Sequence, residues 1–137
     1  GDGKQCRDWL SVYDHAAGIQ HVFEQGEPGT VYNVGGGNER ENITVAEQIV
    51  ATLGKSRSLI RFVQDRPGHD RRYSIDCRRL RALGWSPQVP FEEGLKQTVE
   101  WYRTHESWWR TIKSGEFKDY YQQQYAKRLQ QGTACGL

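Results

Sequence analysis

Apolar residues recur at helical spacing along most of the chain. The first such stripe is formed by Ala16, Ile19, Val22 and Phe23, and Gly26 follows it as a helix stop. In the second helix, Thr44 and Glu47 have the spacing of a capping box, and Gly54 marks its end. Asp76 is predicted to cap the third helix. The predicted helices cover residues 13–25, 45–53, 78–83, 91–103, 105–112 and 116–130.

Shorter β-rich runs lie between these helices. Residues 4–12, 30–34 and 59–63 have the alternation or β-branched content typical of strands, and residues 73–75 are predicted to be a brief extended piece. The pattern therefore predicts an α/β fold that is rich in helix and has few short strands. No internal repeat is apparent.

Composition indicates one folded domain with a thin core. The chain has 137 residues, of which 12% are aromatic and 26% charged, and its mean hydropathy is −0.85. The sequence contains neither an apolar run of membrane-spanning length nor a signal-peptide pattern at its start, so we expect a soluble, cytoplasmic protein. The three widely spaced cysteines indicate free thiols. No spacing of histidines or cysteines predicts a metal site.

Positive charge is concentrated in one part of the chain. Residues 55–81 contain nine basic and three acidic residues, a net of +6, whereas the whole chain carries +2 and the remainder therefore carries −4. Within this part, DRPGHDRRYSID at 65–76 places arginines and a histidine around a Pro-Gly turn. The planar guanidinium of arginine can grip phosphate oxygens through two parallel hydrogen bonds. The segment therefore predicts a diphosphate site.

Several motifs also resemble the dTDP-glucose 4,6-dehydratases, nucleotide-sugar enzymes of the extended short-chain dehydrogenase/reductase family. They are DRPGHDRRY at 65–73, GDGKQCRDWLSVYDH at 1–15, YNVGGGNERENIT at 32–44 and FEEGLKQTVEWY at 91–102. The similarity runs through residues 1–129, which the resemblance identifies as the C-terminal, nucleotide-sugar-binding segment. Residues 130–137 fall outside it and are expected to be a disordered tail. The complete Rossmann sheet of the family is expected to be absent from this chain.

The resemblance also implies site residues. Arg7, Asn42 and Arg66 would hold the diphosphate and sugar of a dTDP-sugar, and His69 and Tyr73 would lie close by. Two of these residues have an alternative role that involves no ligand: Asn42 could cap a helix, and Arg7 could pair with Asp8 on the surface. The remaining arginines of residues 71–81 are expected to be surface charges.

The catalytic parts of that family are missing from the sequence. The glycine triplet at 35–37 is not followed directly by a helical pattern, and no tyrosine has a lysine four residues later. The resemblance implies NAD in the intact family, but we expect no cofactor, no metal and no catalytic residue in this chain. It is expected to bind a dTDP-sugar without turning it over.

Two other functions compete with this one. Residues 30–34, without neighbouring strands, would expose edges that a second copy of the chain could cover, which predicts a self-associating module. Nucleic-acid binding by residues 55–81 ranks last, because acidic residues interrupt the basic run and few aromatic residues accompany it.

Overall fold

Helices dominate the computed structural model, which describes residues 1–113 and 117–121. In chain order, the described part contains strand β1 (Cys6–Asp8), helix α1 (Val12–Gln25), strand β2 (Glu39–Glu41), helix α2 (Asn42–Thr52), a 3₁₀ turn (Arg57–Leu59) and helices α3 (Arg78–Ala82), α4 (Phe91–Thr104) and α5 (Glu106–Lys113). Residues 117–121 are also helical. The prediction of a helix-rich α/β chain is confirmed. The predicted helix at 116–130 lies largely outside the described residues, as does the predicted tail.

The sheet of the described residues is small. β1 and β2 are antiparallel, with Arg7 opposite Arg40, and on the other side of β1 the residues Cys6 and Arg72 form an isolated parallel bridge. β1 is shorter than the predicted strand at 4–12. It ends where Asp8 turns toward a neighbouring loop, and the Ser11 hydroxyl then accepts a hydrogen bond from the Tyr13 amide to cap α1.

Two predicted strands do not form within the described residues. At 30–34, helix α3 and the residue two positions before it bind the segment instead of a strand: Arg79 donates to the carbonyl of Val31, and the Asn33 side chain donates to the carbonyl of Asp76. At 59–63, the Ser56 hydroxyl caps the 3₁₀ turn that occupies the start of the segment. Both predictions were wrong because a strand needs a partner strand, which local sequence does not supply.

The predicted capping box is also wrong. α2 begins at Asn42, two residues before Thr44, and its N-cap Glu41 makes no side-chain capping bond. β2 runs directly into α2, so pairing with β1 sets the start of the helix. The stop after α2 is as predicted, since Gly54 has a φ of +61°, a value that favours glycine. At α3, the side chain of Asp76 accepts from the Arg78 amide, although the N-cap position itself is Cys77.

The core is built from side chains of α2, α3, the residues on either side of α3 and the start of α4. Its buried apolar side chains in the described residues are Val45, Cys77, Leu80, Trp85 and Phe91. α1 approaches this core closely because it carries Gly18, where an added Cβ would lie 3.2 Å from the Trp85 ring. The core is thin, as the composition predicted. Hydrogen bonds from buried or half-buried side chains to distant loops therefore help to hold the fold together.

Two aspartates accept such hydrogen bonds and thereby act as clamps. The buried carboxylate of Asp14 in α1 accepts hydrogen bonds from the amides of Gln88 at 3.0 Å and Val89 at 2.9 Å. The carboxylate of Asp8 accepts from the amides of Gly36 at 2.9 Å and Asn38 at 2.8 Å. Each aspartate thus fixes a loop distant in sequence to an element of the fold. Sequence reasoning did not find either role, because an isolated aspartate gives no sign of a distant partner.

Candidate functional site

The loop at 65–73 lies beside β1. The Cys6 amide donates to the Arg71 carbonyl at 2.8 Å, and the Tyr73 amide donates to the Cys6 carbonyl at 3.1 Å. These two bonds extend the sheet by one short, parallel contact. They bring the arginine-rich loop next to Arg7, which is 62 residues from His69 in sequence.

Arg7 is held firmly by this loop. Its Nη2 donates to the Asp70 carbonyl at 3.0 Å and lies 3.0 Å from Nε2 of His69, and its Nη1 donates to the carbonyl of Cys6 at 2.6 Å. The guanidinium carbon lies 4.0 Å from the centre of the Tyr73 ring, a cation–π contact. The surface-pair alternative for Arg7 is wrong, because Asp8 binds backbone amides instead.

These contacts limit how Arg7 could meet an anion. Both hydrogens of Nη2 point to protein acceptors, and each parallel fork of a guanidinium includes Nη2. Nε and one hydrogen of Nη1 remain, and these two do not form a fork. In this conformation Arg7 offers a fixed positive charge and single hydrogen bonds, not a bidentate grip.

His69 links Arg7 to Asp65. Its Nδ1 lies 2.7 Å from Oδ1 of Asp65, and the imidazole is half-buried. Since a guanidinium can only donate, Nε2 must accept from Arg7, and Nδ1 therefore carries the hydrogen that is donated to Asp65. Hydrogen bonding, first from His69, lowers the pKa of the Asp65 carboxyl below its ordinary value, so this group is ionised at neutral pH.

Arg66 differs from Arg7 in having a free head group. Its side chain is exposed and takes part in no hydrogen bond or ion pair among the described residues, whereas its amide donates to Oδ1 of Asp65 at 2.9 Å. It precedes the Pro67-Gly68 turn, in which Gly68 has a φ of +67°. Both forks of Arg66 are thus available to an anion.

Tyr73 and Asn42 occupy different places relative to this cluster. The Tyr73 hydroxyl donates to Oδ2 of Asp70 at 2.8 Å, which holds the ring against Arg7. Asn42 is the first residue of α2, and its amide donates to the carbonyl of Gln5 at 3.0 Å. Asn42 is therefore not the helix cap, and no hydrogen bond joins it to Arg7 or His69 in the described part of the chain.

Three of the arginines that were expected to be surface charges form exposed ion pairs. Arg71 binds Asp2, Arg72 binds Glu39 and Arg78 binds Asp76. The hydrogen bond from Arg78 lowers the pKa of Asp76 to about 2. Such exposed pairs contribute little to stability, but they leave less unpaired positive charge around Arg66.

The glycine triplet does not form a dinucleotide cradle. In a Rossmann fold, backbone amides of a glycine-rich turn and a helix N-terminus face the pyrophosphate of NAD. Here the amide of Gly36 is bound to the carboxylate of Asp8, an anion that a pyrophosphate would have to displace. β2 separates the triplet from the next helix, α2. The described residues therefore do not fit NAD at this loop.

Neither a metal-binding cluster nor a membrane-spanning helix is present in the described residues. No group of three or more His, Cys, Asp or Glu side chains could hold a metal ion among residues 1–113 and 117–121. In the same residues, no helix has the length and apolar content to cross a bilayer.

The family model for GDP-mannose 4,6 dehydratase matches residues 1–98 of this chain. The chain belongs to this dehydratase family. Over 136 residues it is 45% identical to dTDP-glucose 4,6-dehydratase 1 of Escherichia coli strain K12, a match that covers 93% of this chain and 38% of that protein. The dTDP-glucose 4,6-dehydratase of Xanthomonas campestris pv. campestris is 48% identical over 128 residues, covering 86% of this chain and 36% of the relative. The chain thus spans less than two fifths of the length of these dehydratases.

Solved dehydratase structures agree. The dTDP-glucose 4,6-dehydratase of Bacillus anthracis in complex with NAD superposes with a TM-score of 0.77 at 46% identity, over 82% of this chain and 36% of that one. DesIV, a dTDP-glucose 4,6-dehydratase of Streptomyces venezuelae with NAD bound, gives a TM-score of 0.78 at 42% identity, over 82% and 35%. The resemblance inferred from the sequence motifs is confirmed.

Proposed function

We propose that this chain is the C-terminal, diphosphate-holding part of a dTDP-glucose 4,6-dehydratase. The proposal rests on the different states of two arginines. The guanidinium of Arg7 is held in place by the loop, whereas that of Arg66 is exposed and both of its forks are free to bind. A diphosphate carries two or more negative charges, so one preset charge and one adaptable fork suit it. The ion pairs of Arg71, Arg72 and Arg78 favour one local anion site over a basic strip for nucleic acid.

The parent reaction is the dehydration of dTDP-glucose to dTDP-4-keto-6-deoxyglucose with NAD. This chain is proposed to supply binding without turnover. Its sequence has no Tyr-x-x-x-Lys pair, and its glycine triplet is occupied by Asp8. Incubation of the folded chain with NAD and dTDP-glucose, followed by proton NMR, should show unchanged substrate. Formation of the keto sugar would overturn this part of the proposal.

A calorimetric titration tests the binding itself. At low salt, the folded chain should bind dTDP-glucose saturably and bind thymidine, which lacks the diphosphate, at least tenfold more weakly, because one or two charge-assisted hydrogen bonds are lost. Affinity for dTDP-glucose should also fall as salt is raised, since exposed charges are screened. Equal affinity for both ligands would contradict a diphosphate site.

A second function, self-association, is favoured by one observation. Large apolar side chains of α1 and the following loop are exposed, including Phe23 at 90%, Val31 at 73% and Val12 at 71%. Such a surface is usually covered by another part of a protein or by a partner. Size-exclusion chromatography with light scattering tests the idea, and a clean monomer at high concentration would count against it.

A further inference from the structure

The carboxylate of Asp65 accepts hydrogen bonds from three residues in and beside the arginine-rich loop. Its Oδ1 accepts from the amide of Arg66 and from Nδ1 of His69, and its Oδ2 accepts from Nε2 of Gln5 at 2.6 Å. Gln5 is buried, with 5% of its surface exposed, and lies directly before β1. One carboxylate therefore ties the arginine loop to the sheet and touches both arginine-bearing segments.

The direction of these hydrogen bonds is fixed by chemistry. The carboxylate accepts only, so its contact with His69 requires a hydrogen on Nδ1. A neutral imidazole with hydrogen on Nδ1 has a bare Nε2, which is the acceptor that Nη2 of Arg7 needs. Asp65 thus favours the one neutral tautomer that can hold Arg7.

We propose that Asp65 is a positioning residue, which acts through the His69 tautomer to fix Arg7 for an incoming diphosphate. The effect on ligand rests on the proposed function, whereas the tautomer is a property of the chain alone. Arg66 is affected as well, because the same oxygen of Asp65 accepts from its amide and orients the start of the Pro-Gly turn. The proposed ligands are oxygen-rich anions of the nucleoside diphosphate class, and Asp65, itself an anion, acts on them only through His69, Arg7 and Arg66.

Nitrogen-15 NMR of the imidazole tests the chemical step directly. At pH 8, where imidazoles are ordinarily neutral, the wild-type chain should show His69 protonated at Nδ1 and bare at Nε2. Asp65→Ala should move the population toward the Nε2–H form, and Asp65→Asn should lie between, because its amide oxygen can still accept. Asp119→Asn, the same change at an exposed aspartate outside the cluster, should leave the spectrum unchanged.

Titration with dTDP-glucose supplies the second readout. Asp65→Ala should weaken binding about tenfold, on the scale of one lost charge-assisted hydrogen bond, and Asp119→Asn should bind as the wild type does. If Asp65→Ala fails to fold, Asp65→Asn and the wild-type spectrum still decide the question. A wild-type His69 in the Nε2–H form would overturn the inference. It would equally be overturned if Asp65→Ala weakened binding without moving the tautomer, since the role would then be purely structural.

The two proposals can fail separately. If the wild-type chain does not bind dTDP-glucose but Asp65→Ala shifts the His69 tautomer, the proposed function is wrong, whereas the control of the tautomer by Asp65 stands. If dTDP-glucose binds but the His69 tautomer is the same with and without Asp65, the proposed function stands and the positioning role of Asp65 is wrong.

Discussion

Replacing Asp14 by alanine should strongly destabilise the chain. Asp14 is 4% exposed, and both of its carboxylate oxygens bind backbone amides, those of Gln88 and Val89. Hydrogen bonds to charged groups contribute about 1.5–3 kcal/mol each, so the pair contributes roughly 3–6 kcal/mol before water replaces any of it. Gln88 is exposed, and water can reach its amide. We therefore expect a net loss near the lower end, about 3 kcal/mol.

This loss is large compared with the 5–15 kcal/mol of a typical domain. It should lower the melting temperature by about 10 °C, and urea unfolding followed by circular dichroism would measure the free energy. Glu24→Gln is the matched control, because it neutralises an exposed carboxylate of the same helix and should change stability by less than about 0.5 kcal/mol. An Asp14→Ala chain as stable as the control would refute the clamp.

Three further changes test other parts of the fold. Gly36→Ala should lower the melting temperature, because the added Cβ would collide with the carbonyl oxygen of Trp9; an unchanged melting curve would show that the loop yields freely. Leu80→Ala, which truncates a side chain with no exposed surface, should cost about 2–5 kcal/mol in urea unfolding, and a cost below 1 kcal/mol would mean that α3 is not part of the core. The pKa of Asp76 is about 2 in the folded chain, so its contribution is complete above the ordinary pKa near 4 and is lost as the pH falls toward 2. Asp76→Asn should therefore flatten the stability profile between pH 4 and 2, and an unchanged profile would argue against the pair with Arg78.

Local patterning predicted the helices well. α1 and α4 lie within one residue of the predicted bounds, because the apolar stripe of each helix is contained in its own sequence. The prediction of a strand at 30–34 was wrong because β-branched residues only favour a strand where a neighbouring strand is available to pair with it. The start of α2 was missed for a similar reason, since the pairing of β2 with β1 fixes it.

The site could be predicted only in outline. The arginine-rich loop and its Pro-Gly turn are visible in the sequence, and the family motifs name Arg7, Arg66 and His69. The division of roles that we propose for the two arginines is not visible, because it depends on which donors of each guanidinium the folded chain already uses. Asp65 was missed for the same reason, since its partner Gln5 lies 60 residues away.

The proposed diphosphate site is tested most directly by a calorimetric titration of two arginine variants with dTDP-glucose. Arg66→Ala removes the exposed fork, and Arg103→Ala removes another exposed guanidinium, which is paired with Glu100 in α4. We expect saturable binding by the wild-type chain, a loss of about 10- to 100-fold in Arg66→Ala and no change in Arg103→Ala. A folded wild-type chain that does not bind, or an Arg66→Ala chain that binds equally well, would contradict the proposed site.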